Sequence, residues 1–172
     1  MHRQISPTTL RTRERDTMNR TIRPAHHDEL KSLSELCLRS KAIHGYDAAF
    51  MQACRDELTL TPGDLDEARL AVADAASGTV AGVVQISMDD EGCYLEKLFV
   101  APEHMGQGFG RTLFQWAVHA ALALGADAMI IESDPDAAPF YKAMGAQPAG
   151  QARSMSIPGR LLPRLVLDLT SV

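Results

Sequence analysis

Long apolar runs are missing from this 172-residue chain, and the strongest, residues 120–124 and 128–131, are far too short to span a bilayer. Cysteine is scarce: Cys37, Cys54 and Cys93 are an odd set without C-x-x-C spacing, which argues against a disulfide framework or a metal site and fits a reducing cytoplasm. The first 19 residues lack the apolar stretch of a secretory signal. They are rich in Arg and Thr and read as a disordered arm over 1–19, with Met18 a candidate start; Glu14 and Asp16 oppose the competing reading of a transit peptide. Internal repeats and low-complexity linkers are absent after residue 20, so residues 20–172 read as a single domain. Basic residues are also few beyond the arm. Residues 1–20 hold five arginines against Glu14 and Asp16, and the remainder holds 12 basic against 20 acidic residues. So acidic a body argues against a nucleic-acid surface. It suits cationic small molecules and, equally, plain solubility.

Apolar material is ample: 45% of the residues are hydrophobic and 23% charged, enough to bury a core and to exclude wholesale disorder. Residues 21–23 read as a first strand stopped by Pro24. Residues 28–43 read as a helix, with Leu30, Leu33, Leu36 and Cys37 near one face, early acids and late bases. After Gly45 a second helix carries Phe50, Met51, Cys54 and Leu58 on one face, with Phe50 and Met51 assigned to the core. The pattern then changes to strands at 69–73, 79–88 and 93–100, separated by tight polar turns as in an antiparallel meander. A long amphipathic helix spans 108–124, flanked by Trp116, and a continuously apolar strand follows at 128–131. A helix over 136–144 ends at Gly145, a further strand is an option at 147–154, and the last strand covers 161–169. The fold class is α+β, a mixed, mainly antiparallel sheet flanked by helices.

The most informative stretch joins strand to helix: Val100-Ala101-Pro102, then Met105-Gly106-Gln107-Gly108-Phe109-Gly110-Arg111. Amides at a helix start are unpaired and the dipole adds positive potential, while glycines remove the Cβ atoms that would hold a phosphate away. The stretch is therefore a candidate diphosphate cradle; a turn that only connects two elements is the alternative. The nucleoside-triphosphate loop G-x-x-x-x-G-K-[ST] does not fit, and Arg111 takes the slot of the third glycine in G-x-G-x-x-G.

This stretch resembles the signature of the GNAT superfamily of N-acetyltransferases, (Gln or Arg)-x-x-Gly-x-(Gly or Ala) after a strand ending Val-x-Pro, with Met105 in the Gln or Arg slot. The segment from Asp134 to Ala146, containing Phe140-Tyr141-Lys142-Ala143-Met144-Gly145, resembles the family's Asn-x-x-Ala-x-x-Phe-Tyr-x-x-x-Gly-Phe. Asp134 stands for the common Asn and Ala146 for the common Phe. The two motifs keep the family's order and distance, and the opening Ile22-Arg23-Pro24-Ala25 is similar to its first strand.

The resemblance implies acetyl-CoA as co-substrate, no metal, an amine acceptor and direct attack on the thioester. It places Met105 to Arg111, Asp134, Phe140 and Tyr141 at the coenzyme, with the backbone of Leu98, Phe99 and Val100 along the pantetheine arm. Tyr141 would protonate the leaving thiolate. A free alkylamine has pKa about 10.4, so roughly one molecule in 2,500 is neutral at pH 7 and deprotonation costs about 4.6 kcal/mol. A base is therefore useful. Glu96 is the expected one: relatives often carry a carboxylate on this strand, and strict alternation puts Tyr94, Glu96 and Leu98 on one face. A cross-sheet ion pair is the alternative role for Glu96, and Glu132 is the reserve base. His44 and Tyr46, beside Gly45 between the first helices, are the expected acceptor contacts, whereas His104 and His119 read as exposed. Arg160, in a Pro-Gly turn, is a further candidate contact with no mechanism attached. Expected partners are thus a small-molecule or amino-acid-like amine and, for such folds, a second copy of the chain as a homodimer. A protein N-acetyltransferase and a non-catalytic acyl-CoA-binding module are the other readings.

Overall fold

The computed structural model describes residues 20–172, so the arm assigned to 1–19 lies outside the described residues. The elements run β1 (Thr21–Pro24), α1 (Leu30–Ala42), α2 (Ala48–Leu58), β2 (Leu70–Asp74), β3 (Val80–Asp89), β4 (Gly92–Val100), α3 (Phe109–Ala123), β5 (Ala128–Glu132), α4 (Ala138–Ala143), β6 (Gln147–Arg153) and β7 (Leu161–Asp168). One sheet has the order β1-β2-β3-β4-β5-β7-β6. Its neighbours are antiparallel except β4 and β5, which are parallel. The expected α+β architecture is the one observed. Among the described residues no helix is long and apolar enough to cross a membrane.

Local chemistry sets these elements. In α1, Leu30, Leu33, Leu36 and Cys37 are buried at helical spacing, giving the helix one face to hide. Asp47 opens α2 by accepting the Phe50 amide at 2.8 Å. Asp89 takes the amides of Glu91 and Gly92 into its Oδ1, closing the β3–β4 hairpin. Leu113, Phe114, Ala117 and Ala121 bury the inner face of α3. Two cores result: α3 and α4 cover one face of the sheet, and α1 and α2 cover the other. Phe50 and Met51, expected in the core, are only half-buried, because α2 lies at the margin of the second one. The helix expected over 136–144 shortens to α4, since Asp134 Oδ1 accepts the Asp136 amide at 3.1 Å and holds the chain in a turn. The optional strand forms as β6, on the sheet edge beside β7.

The feature that creates a site lies in β4. Its register against β3 slips between Gln85↔Lys97 and Ile86↔Leu95, leaving Glu96 as the additional residue of a β-bulge. Strict alternation therefore fails. Leu95 and Leu98 both pack toward α3, Phe99 turns toward α1 and α2, and Glu96 is exposed at the bulge, not aligned with Tyr94 and Leu98. A bulged strand bends and twists. Accordingly β4 pairs with β5 only at Cys93↔Met129 and Tyr94↔Ile130. Beyond that point β4 follows β3 as far as Val100 and β5 follows β7 as far as Glu132, so a wedge opens between the two parallel strands.

Candidate active site

At one end of the wedge β4 runs into the glycine loop. Gly106 and Gly108 have φ of +74° and +89°, in the left-handed region that glycine alone adopts cheaply. This path leaves the amides of residues 106–111 with no acceptor among the described residues, at the positive end of the 15-residue α3. No heavy atom stands within 4 Å of where a Cβ on Gly106 would be, so the loop surface is open to an anion there. Phe109 is buried, so its main chain, and not its ring, faces the loop surface. Phe140 instead packs 3.6 Å from the Cβ position of Gly110, joining α4 to the first turn of α3. Gln107 turns its side chain to the Glu103 carbonyl, and Arg111 is exposed on the first turn of α3.

Arg20 adds a charge that sequence reasoning assigned only to the basic arm. Its guanidinium lies over the loop, with atoms 2.9 to 3.2 Å from the Cβ position of Gly108. It donates to the Gln107 carbonyl and sits 5.3 Å from the centroid of the Phe109 ring. Met105 carries no charge; Arg20 brings a cation over Gly108, and Arg111 carries another on the first turn of α3. No sequence signal finds Arg20, because it comes from the residue before β1.

A cavity of about 150 Å³ fills the wedge, and Glu96, Leu98, Phe99, Glu132, Asp134 and Tyr141 contribute to its wall. Tyr141 is 7% exposed and sits among aromatic rings, 5.8 Å from Phe114 and 5.1 Å from Phe140 between centroids. Burial pushes its phenol well above the usual tyrosine range. The phenol therefore carries its proton at neutral pH. Glu96 accepts a hydrogen bond from Ser87 and has no ion-pair partner among the described residues. Lys97, the cross-sheet cation nearest in sequence, donates instead to Gln85 at 3.0 Å, and Gln85 donates to Asp64 at 2.8 Å. Glu132, the reserve, lies 3.8 Å from Arg164. His104 sets its ring on Phe109 at 5.6 Å between centroids and is half-buried, while His119 is exposed as expected.

The opposite end of the wedge is bounded by side chains from distant segments. Tyr46 donates to Asp134 Oδ2 at 2.6 Å, and Arg160 donates to the Tyr46 oxygen at 2.7 Å. The Tyr46 ring stacks on Phe50 at 3.9 Å with 14° between planes, and the Arg160 guanidinium lies 4.9 Å from the Phe50 centroid and 5.1 Å from that of Tyr46. Lys41 Nζ stands 3.6 Å from the same Asp134 oxygen, and His44 Nδ1 lies 3.1 Å from Asp136. Burial, then the Asp134 contact, pushes the Tyr46 phenol up to about 12. Burial alone would raise Asp134, but the Tyr46 hydroxyl, the Asp136 amide and Lys41 together hold it below the usual carboxylate range. The expected contacts His44 and Tyr46 are therefore brought together here. Lys41 and Arg160 are added, and Asp134 faces them. His44, Asp134 and Asp136 place three ligand atoms within 4.8 Å of one another. A metal ion there would meet the two positive charges already against Asp134.

Known proteins share the family and the fold of this chain. Residues 30–146 match the model of the Acetyltransferase (GNAT) family. The peptidyl-lysine N-acetyltransferase YjaB of Salmonella typhimurium is 32% identical over 133 residues, covering 76% of this chain and 86% of that protein. A GCN5-related N-acetyltransferase from Rhodopseudomonas palustris superposes with TM-score 0.69 at 17% identity, over 98% of this chain and 99% of that one. A PaiA N-acetyltransferase from Thermoplasma acidophilum, in complex with coenzyme A, gives 0.67 at 16% identity over 88% and 99%. At such identities the two structures speak for the fold. Fold and family model together define an acetyltransferase: the chain belongs to the GNAT family.

Proposed function

We propose that this chain transfers the acetyl group of acetyl-CoA to a primary amine of a small or amino-acid-like molecule, by direct attack of the amine on the thioester. The observation that carries the reading is the parting of β4 from β5 after Tyr94, which leads from the amides of residues 106–111, without acceptors among the described residues, to a cavity lined by Tyr141 and Glu96. The glycine loop and Arg20 would hold the diphosphate, Arg20 supplying the positive charge that Met105 lacks. Main chain of Leu98, Phe99 and Val100 would align the pantetheine arm in the wedge, and an amide there would polarise the thioester carbonyl. Glu96 takes the proton of the attacking ammonium, directly or through one water. The amine lone pair forms the new C–N bond, the C–S bond breaks, and Tyr141 donates its phenolic proton to the departing thiolate. The nitrogen sheds its second proton as the amide forms, which restores the Tyr141 phenol through water, and Glu96 gives the first to solvent, so the products are an N-acetyl amide, the free coenzyme thiol and one proton. All three cysteines are free and buried, which supports a reducing compartment such as the cytoplasm.

The small cavity, walled on this side by Lys41, His44 and Asp134, supports a slender amine chain as acceptor. A lysine side chain within a peptide meets the same condition. That second reading is favoured by the Salmonella relative, a peptidyl-lysine N-acetyltransferase. The test is release of coenzyme thiol from acetyl-CoA over a panel of spermidine, an aminoglycoside, free amino acids and a blocked lysine peptide. Turnover of a free amine above the peptide supports the first reading, and the reverse order supports the second. Thermal stabilisation by acetyl-CoA with no thiol released by any amine would leave a non-catalytic binding module.

A further inference from the structure

We infer that Asp134 is a positioning residue of the acceptor pocket and not a ligand of the coenzyme: its carboxylate clasps the segment after α1 and the loop before β7 onto the end of β5. The Asp134 side chain is 11% exposed, and both oxygens are engaged. Oδ2 accepts from Tyr46 at 2.6 Å, with Arg160 at 3.5 Å and Lys41 at 3.6 Å, while Oδ1 accepts the Asp136 amide at 3.1 Å.

An ionised carboxylate has no proton to donate. An asparagine amide at this position could donate to a carbonyl or phosphate oxygen of a coenzyme; Asp134 can only accept, and would repel a phosphate. Its acceptor-only character matches the donors that surround it, namely a phenol, a guanidinium and an ammonium group. Sequence separations of 88 between Tyr46 and Asp134 and 114 between Tyr46 and Arg160 make the clasp the point where three distant segments meet. A second tie supports the same loop, where Ser156 donates to Glu57 of α2. The cluster so formed carries the stacked Tyr46 and Phe50 rings with Arg160 over both, and it is tied to the cavity wall through Asp134 and Lys41, which line it.

The kinetic arm of the test rests on the acetyl-transfer reading; the proteolytic arm does not. Asp134→Asn should raise KM for the amine of Nα-acetyl-lysine amide about tenfold, the loss expected for one charge-assisted clasp, while acetyl-CoA Kd stays within about twofold. Adding Tyr46→Phe should cost less than about twofold more, because both changes open the same clasp. In the absence of any substrate, trypsin should cut after Arg160 about tenfold faster in Asp134→Asn, with cleavage after Arg111 unchanged, read by mass spectrometry. Weakened acetyl-CoA binding with an unmoved amine KM would make Asp134 a coenzyme ligand and overturn the proposal, as would an Arg160 bond no more sensitive than in the wild type. Should the wild type acetylate no amine, the proposed activity falls and the clasp is decided by trypsin alone. Should Asp134→Asn fail to fold, Tyr46→Phe alone must show the faster cleavage after Arg160, and its absence overturns the clasp.

Discussion

The two ends of the wedge are built from different materials. The end proposed to hold the coenzyme is main chain: consecutive amides of residues 106–111, shaped by Gly106 and Gly108 and backed by the α3 dipole, with the Arg20 guanidinium lying over Gly108. The end proposed for the acceptor is side chain: Lys41, His44, Tyr46, Asp134 and Arg160, drawn from three segments far apart in sequence. Main-chain donors are the same whatever the residue, so the first end can keep its ligand while side chains around it change. The second end changes its chemistry with every substitution. A donor common to all members of a family and an acceptor particular to each call for this division of labour.

Four substitutions test whether the ends are truly so divided. Gly108→Glu places bulk and negative charge among the amides, against the Arg20 guanidinium, at a φ of +89°. Stabilisation by acetyl-CoA in a thermal melt should vanish, a loss beyond about 100-fold, with the circular dichroism spectrum retained; preserved binding would mean that the amides do not hold the diphosphate. Tyr141→Phe should lower kcat by about 10²-fold with acetyl-CoA Kd little changed, and an unaltered kcat removes its role as acid. Next in size is Glu96→Gln, which should lower kcat/KM about tenfold near neutrality and flatten its rise with pH. An identical pH profile would move the base to Glu132 or to water. Smallest is Arg20→Ala, expected to weaken acetyl-CoA about threefold to tenfold, more at low salt than at high. A salt-independent effect would show that Arg20 acts through packing on Phe109 instead.

The same contrast explains what the sequence could and could not disclose. The strands and helices were legible because each is set by local periodicity, as in the spacing of Leu30, Leu33 and Cys37, and by caps such as Asp47. The glycine loop between β4 and α3 was legible because its parts are adjacent. Three features lay beyond local reading. The bulge at Glu96 comes from a register slip against β3, and alternation of residue types in β4 gives no hint of it. The Arg160–Tyr46–Asp134 contact joins residues whose local sequence looks like ordinary turns. Arg20 was counted with the basic arm, although it stands over Gly108. In each case a partner distant along the chain decides where the side chain goes.

The bulge also limits how this protein can change over time. In β4 the length of the strand matters as well as the residue types it carries. Deleting Glu96 would join Leu95 to Lys97 in the register they already hold against Ile86 and Gln85, restore the pleat with Lys97 and Phe99 still on their present face, remove the bend that parts the strands and let β4 zip onto β5. A single lost codon there would seal the seam, leaving a sounder sheet and no catalyst.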